Sequence, residues 1–164
     1  MVNVHPTWEL SVQDSGLILM PCPGTKGPDL KQTLTQLSEQ GVVAIVSAIT
    51  DEEFEKVSLT GFGESVQQQG IHWFHLPVED DSVPDDSFER KWQSLGAEIV
   101  SKLREGKVAL HCMGGSGRTG LLAGRVLLEL EWPVEVIINE VKQLRPNAFS
   151  KEVQRNYLSG IAGK

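Results

Sequence analysis

Val108-Ala109-Leu110-His111-Cys112-Met113-Gly114-Gly115-Ser116-Gly117-Arg118-Thr119-Gly120 holds the decisive pattern of the chain. Its first part, extended back to Lys107, is apolar enough for a buried strand. Three glycines then lie between Cys112 and Arg118, and Leu121 to Leu130 is apolar on nearly every face, as in a central buried helix. Strand, glycine-rich loop and helix in this order form an α/β unit.

The same alternation runs outward. Gly16–Met20, Val42–Val46 and Ile71–Leu76 read as further buried strands. The acidic segment Pro77 to Asp86 follows the third of these strands, so it lies at the carboxyl edge of the sheet, where α/β folds build their sites. Leu30, Leu34 and Leu37 recur at helical spacing after Pro28-Asp29, and Gly41 stops them. Phe88, Trp92, Leu95, Ile99 and Leu103 form one stripe, closed by Gly106. Val134, Ile137, Ile138, Val141 and Leu144 form another, begun after Pro133 and stopped by Arg145-Pro146. The expectation is a single α/β domain over residues 1–164. Its central, mainly parallel sheet has four to five strands flanked by helices, with an edge strand around Val2 to Glu9.

Composition limits the function classes. The chain has 164 residues, 40% hydrophobic and 23% charged, with a net charge of −7. Such acidity disfavours a general nucleic-acid binder. No apolar run approaches the roughly 20 residues of a membrane span, and no secretory leader is visible at Met1–Pro6. Only two cysteines occur, so a reducing, cytoplasmic location is expected. No Cys/His cluster has metal spacing, so neither metal nor cofactor is expected.

The central loop has the parts of an anion site. Glycines let backbone N–H groups approach a ligand closely, and a helix N-terminus beside them adds a favourable field. Arg118 offers a planar fork for two phosphate oxygens. In such a field a cysteine favours its thiolate. From Gly106 to Leu128 the charged residues are Lys107, Arg118 and Arg125, with no acid among them. A basic loop in an acidic chain suits a thiolate attacking a phosphate ester. A nucleotide P-loop would need a Gly-Lys-Ser/Thr ending, which is missing.

His111, Cys112, Arg118 and Thr119 resemble, position by position, the signature of the cysteine-based protein tyrosine phosphatase superfamily. The short chain resembles its dual-specificity branch. The loop is most similar to the kinase-associated phosphatases, named for cyclin-dependent kinase inhibition. Pro23-Gly24 before Lys26, Glu53-Phe54, His75 to Asp80, Val83-Pro84-Asp85, and Arg145 followed by Gln154 and Tyr157-Leu158 extend the likeness.

A thiolate mechanism also needs a general acid for the leaving oxygen. Five acids crowd the segment from Glu79 to Asp86, and spacing alone does not choose among them. The resemblance implies Asp80, with Asp81 the runner-up; Asp85 or Ser87 reads instead as a helix cap. The substrate phosphate would meet Met113, Gly114, Gly115, Ser116, Gly117 and Arg118. His111 would hold the loop carbonyls, Thr119 would steady the sulfur, and Gln154 would place the hydrolytic water unless it is merely exposed on its helix. Cys22, in the Pro21-Cys22-Pro23-Gly24 turn, is expected to form no bridge to Cys112.

The function this implies is a monomeric, metal-independent phosphoprotein phosphatase acting through a cysteinyl-phosphate. Its substrate would be a phosphorylated protein, with a protein kinase as one candidate. Phosphoinositide or RNA 5′-triphosphate hydrolysis ranks second, because Met113, Gly115 and Ser116 add no lysine for extra phosphates. A non-catalytic phosphate-binding module is the third reading.

Overall fold

The structure, a computed structural model, describes residues 4–164. One five-stranded sheet organises it: β1 (Trp8–Val12), β2 (Ser15–Met20), β3 (Val42–Ser47), β4 (His72–His75) and β5 (Lys107–His111), in the order β1-β2-β5-β3-β4. β1 pairs antiparallel with β2, and every other pairing is parallel. The carboxyl ends of β2, β3, β4 and β5 therefore share one edge, and β5 lies at the centre. The edge strand starts later than the sequence suggested. Its buried positions Leu10 and Val12 alternate with exposed Glu9 and Ser11, and Gln13 adopts a left-handed turn into β2. Val2 and Asn3 lie outside the described residues.

Among the described residues, seven α-helices cover the two faces. α1 (Leu30–Glu39), α2 (Asp51–Lys56) and α3 (Phe62–Gln68) pack over Ile18, Met20, Ile45 and Ala109. α4 (Asp86–Ser101), α5 (Gly117–Glu129), α6 (Val134–Leu144) and α7 (Glu152–Ala162) enclose Leu17, Leu19, Val46, Val108 and Leu110. Strand alternation decides the faces. Leu110 and Cys112 belong to the α5 side, while Ala109 lies on the other.

Local signals explain the boundaries. Asp29 and Gln32 form a reciprocal capping box at α1. Asp85 accepts the Phe88 N–H at 2.9 Å and caps α4, so this acid belongs to the helix. α5 is buried all round because sheet, α4, α6 and α7 surround it; Gly124 leaves no room for a side chain beside Leu158. Pro146 disfavours helical backbone at Arg145, which turns extended at φ −130° and ψ 91°. α2 and α3 were not evident from periodicity. Thr50 and Glu53 make a capping box at α2, a signal present in the sequence.

Candidate active site

The loop from Cys112 to Arg118 joins β5 to α5 at the carboxyl edge of the sheet. Cys112 is 4% exposed. Its Sγ accepts the Gly115 N–H at 3.2 Å and the Thr119 hydroxyl at 3.1 Å. Gly115 makes this possible with φ +83°; a Cβ there would stand 2.6 Å from the backbone of Met20 and Pro21. The mouth is a pocket of about 290 Å³ lined by Asp80, Asp81, Ser82, Cys112, Met113, Gly114, Ser116, Gly117, Arg118, Asn147, Ser150, Lys151 and Gln154. Among the described residues, no three His, Cys, Asp or Glu side chains gather as a metal site.

Arg118 is 5% exposed and held by partners from other elements. Its Nη1 donates to Glu53 Oε1 at 2.6 Å and to the Val78 carbonyl at 2.9 Å, while Nη2 donates to Glu53 Oε2 at 2.8 Å. A guanidinium has five N–H donors, so Nε–H and one Nη2–H remain on a single edge. That edge matches two phosphate oxygens. Burial opposes the charge on Arg118, but the Glu53 hydrogen bond and the nearby Cys112, Glu53 and Asp80 raise its pKa above the usual value. The same hydrogen bond holds the Glu53 carboxyl below the ordinary range. From sequence, Glu53 stood out only within the resemblance.

His111 is fully buried on the opposite side of the loop, against Phe54 and Phe62. Its Nδ1 lies 3.0 Å from the Cys112 carbonyl. A carbonyl only accepts, so Nδ1 carries the proton. Nε2 then accepts from the Ser47 hydroxyl at 2.6 Å, and Ser47 accepts the Trp73 indole N–H at 2.9 Å. Burial pulls the His111 pKa down to about 4, so the ring is neutral at physiological pH. Ser47 and Trp73 carried no sequence signal for this role.

The two acids beside the mouth differ. Asp80 is exposed, with Oδ1 3.6 Å from Arg118 Nη2. Asp81, at φ 59°, pairs with Lys151 at 2.6 Å. That hydrogen bond and the ammonium charge lower its pKa. Lys151 therefore favours the ionised form of Asp81. Gln154 is 6% exposed, which corrects the reading of an exposed helix residue. Its Oε1 accepts the Lys151 N–H at 3.3 Å, and its Nε2 faces Gly117. Cys22 is buried, and its N–H donates to the Met113 carbonyl at 3.0 Å. Burial, then the charges of Cys112 and Glu53, push its thiol up to about 12.

Known proteins are similar to this chain in sequence and fold. The family model described as "Polymorphic toxin system, DSP-PTPase phosphatase" matches residues 20–129. Human cyclin-dependent kinase inhibitor 3 is 28% identical over 172 residues, covering 98% of this chain and 80% of that protein. Mouse protein tyrosine phosphatase type IVA 2 is 27% identical over 126 residues, covering 75% of this chain and 69% of its own. The crystal structure of kinase-associated phosphatase, with its catalytic-site cysteine replaced by serine, superposes with a TM-score of 0.87 at 25% identity, covering 98% of this chain and 96% of that one. PTPMT1 in complex with PI(5)P has a TM-score of 0.71 at 17% identity, covering 95% of each chain, and shares the fold.

Proposed function

Because the chain belongs to the DSP-PTPase phosphatase family, we propose that it dephosphorylates phosphoproteins through a cysteinyl-phosphate, as a single catalytic domain without a metal ion. The observation that carries this reading is the convergence on one pocket of the Cys112 sulfur, which accepts the Gly115 N–H and the Thr119 hydroxyl, and the open edge of Arg118.

In the first step the Cys112 sulfur attacks phosphorus, and an S–P bond forms as the ester P–O bond breaks. Asp80 gives its proton to the departing oxygen. Its position beside Arg118 supports this role, and Asp81 is the weaker candidate because Lys151 favours its ionised form. The loop N–H groups and Arg118 hold the charge on the equatorial oxygens. In the second step water attacks phosphorus, the S–P bond breaks, and Asp80 takes the proton from water. The Thr119 hydroxyl steadies the returning sulfur. The Gln154 amide, turned to the loop by its bond with Lys151, holds the water. Likeness to cyclin-dependent kinase inhibitor 3 supports a phosphorylated protein, including a phosphorylated kinase, as substrate.

The test is hydrolysis of phosphopeptides, inositol phosphates and triphosphate RNA in the presence of chelator. Phosphopeptides are expected to be preferred. Cys112→Ser is expected to abolish turnover while keeping phosphate affinity. Asp80→Asn is expected to slow esters with basic leaving groups by about 10²–10⁴-fold, and esters with acidic leaving groups far less. Selective loss in Asp81→Asn instead would move the acid by one residue. Preference for inositol phosphates would replace the substrate assignment.

A further inference from the structure

Arg145 lies outside the loop and lines no part of its pocket, yet it grips the loop from behind. Its Nε donates to the Gly115 carbonyl at 3.0 Å, and its Nη2 donates to the Gly114 carbonyl at 3.0 Å. Its guanidinium stacks on the Trp8 ring at 3.8 Å from the centroid. Two consecutive loop carbonyls are thus fixed by one rigid fork, itself seated on the edge strand.

A trans peptide points its N–H opposite to its C=O. Holding the Gly114 carbonyl outward turns the Gly115 N–H inward, where it meets Cys112 Sγ at 3.2 Å. Holding the Gly115 carbonyl outward does the same for the Ser116 N–H. Glycine at both positions leaves these peptide planes otherwise free to rotate. We propose that Arg145, braced by Trp8, is a positioning residue that sets the inward direction of the Gly115 and Ser116 N–H groups and so tunes the Cys112 sulfur and phosphate binding. The importance of this for turnover rests on the phosphatase reading, whereas the effect on the sulfur does not.

The chain delivers the clamp by local rules. Pro146 ends α6 and forces Arg145 into extended backbone, one residue beyond the last helical turn. Lysine at this position would keep the charge, but a single ammonium on a flexible stem lacks the planar fork that spans both carbonyls.

The experiment compares wild type, Arg145→Lys, Arg145→Met and Trp8→Leu. Two readouts are used, the pH midpoint of Cys112 alkylation by iodoacetamide and the inhibition constant of inorganic phosphate. Arg145→Lys and Arg145→Met are both expected to move the alkylation midpoint to higher pH and to weaken phosphate about tenfold, the loss of roughly one hydrogen bond to a charged group. Trp8→Leu keeps both donors and is expected to shift each readout in the same direction by less. If Arg145→Met is shifted but Arg145→Lys matches wild type, the effect is charge alone and the clamp is wrong. If every variant matches wild type in both readouts, the clamp is also wrong, whatever the thermal stability. A wild-type protein that hydrolyses no phosphate ester, with both Arg145 variants shifted, would retain the clamp and remove the phosphatase reading. Should Arg145→Met fail to fold, Arg145→Lys and Trp8→Leu decide the same question.

Discussion

Replacing Glu53 by glutamine keeps the shape of the side chain that holds Arg118 and removes its charge. In the structure Glu53 makes two charge-assisted bonds to Arg118, at 2.6 and 2.8 Å, and its side chain is only 18% exposed. Glutamine retains one acceptor, which can serve Arg118 Nη1 and the Thr50 N–H together. Its amide NH₂ then faces the Nη2 donor, so the second bond is lost and two donors confront each other. One hydrogen bond to a charged group contributes about 1.5–3 kcal/mol, and breaking a buried pair costs up to about 3–5 kcal/mol. The site opens to the pocket, so a loss of about 2 kcal/mol in unfolding free energy is expected. The Arg118 fork, left with Val78 and half of its carboxylate partner, is expected to lower kcat/KM by about tenfold or more. The pH dependence gives the sign. The folded-state pKa of Glu53 is depressed, so its contribution is present above the unfolded carboxylate value near about 4.3 and is lost as pH falls through the lower folded value. The gap between wild type and Glu53→Gln is therefore full at pH 7 and closes in acid. Urea unfolding across pH, together with initial rates on a phosphopeptide, measures both effects. Stability within about 0.5 kcal/mol of wild type and unchanged kcat/KM at pH 7 would refute the role given to Glu53.

Four further outcomes are expected. Gly115→Ala places a Cβ against the backbone of Met20 and Pro21 at positive φ, so a stability loss of about 2 kcal/mol or more and strongly reduced activity are expected; wild-type values of either would show that the loop relaxes freely. Ser47→Ala leaves His111 Nε2 buried without its donor and is expected to cost about 1–3 kcal/mol by urea unfolding. Because the His111 pKa is pulled to about 4, stability is also expected to fall as pH drops from about 6.5, where the unfolded chain takes up a proton that the buried ring refuses; nitrogen NMR showing a charged ring at pH 6 would contradict this. Cys22, with its thiol pushed up to about 12, is expected to resist iodoacetamide at pH 7 and to form no disulfide with Cys112 in mild peroxide, so a linked peptide pair in mass spectrometry would overturn its assignment as an inert core residue.

The helices most legible in sequence were those with long apolar stripes or strong stops. α1 had its Asp29 cap and Leu34 and Leu37 on one face, and α6 began after Pro133 and ended before Pro146. α2 and α3 are too short for periodicity to register, and their burial comes from Phe54 and Phe62 packing on the sheet. β1 was displaced because its signal is a brief alternation, Leu10 and Val12, fixed by the turn at Gln13 rather than by an apolar run.

The sequence by itself determined the loop. Cys112, the glycines, Arg118 and Thr119 lie within a few residues of one another, and a strand-to-helix turn constrains their geometry through local backbone rules. It also determined the sheet-and-helix layering, since continuous apolar strands require cover on both faces. Tertiary structure alone decided what surrounds the loop. Glu53 reaches Arg118 across 65 residues, Ser47 reaches His111 across 64, and Arg145 reaches Gly115 across 30. These partners meet because the order β2-β5-β3-β4 places several strand ends along one edge, and because a pre-proline turn swings Arg145 over the loop. No local spacing encodes such meetings; they exist only after distant strands have paired in register.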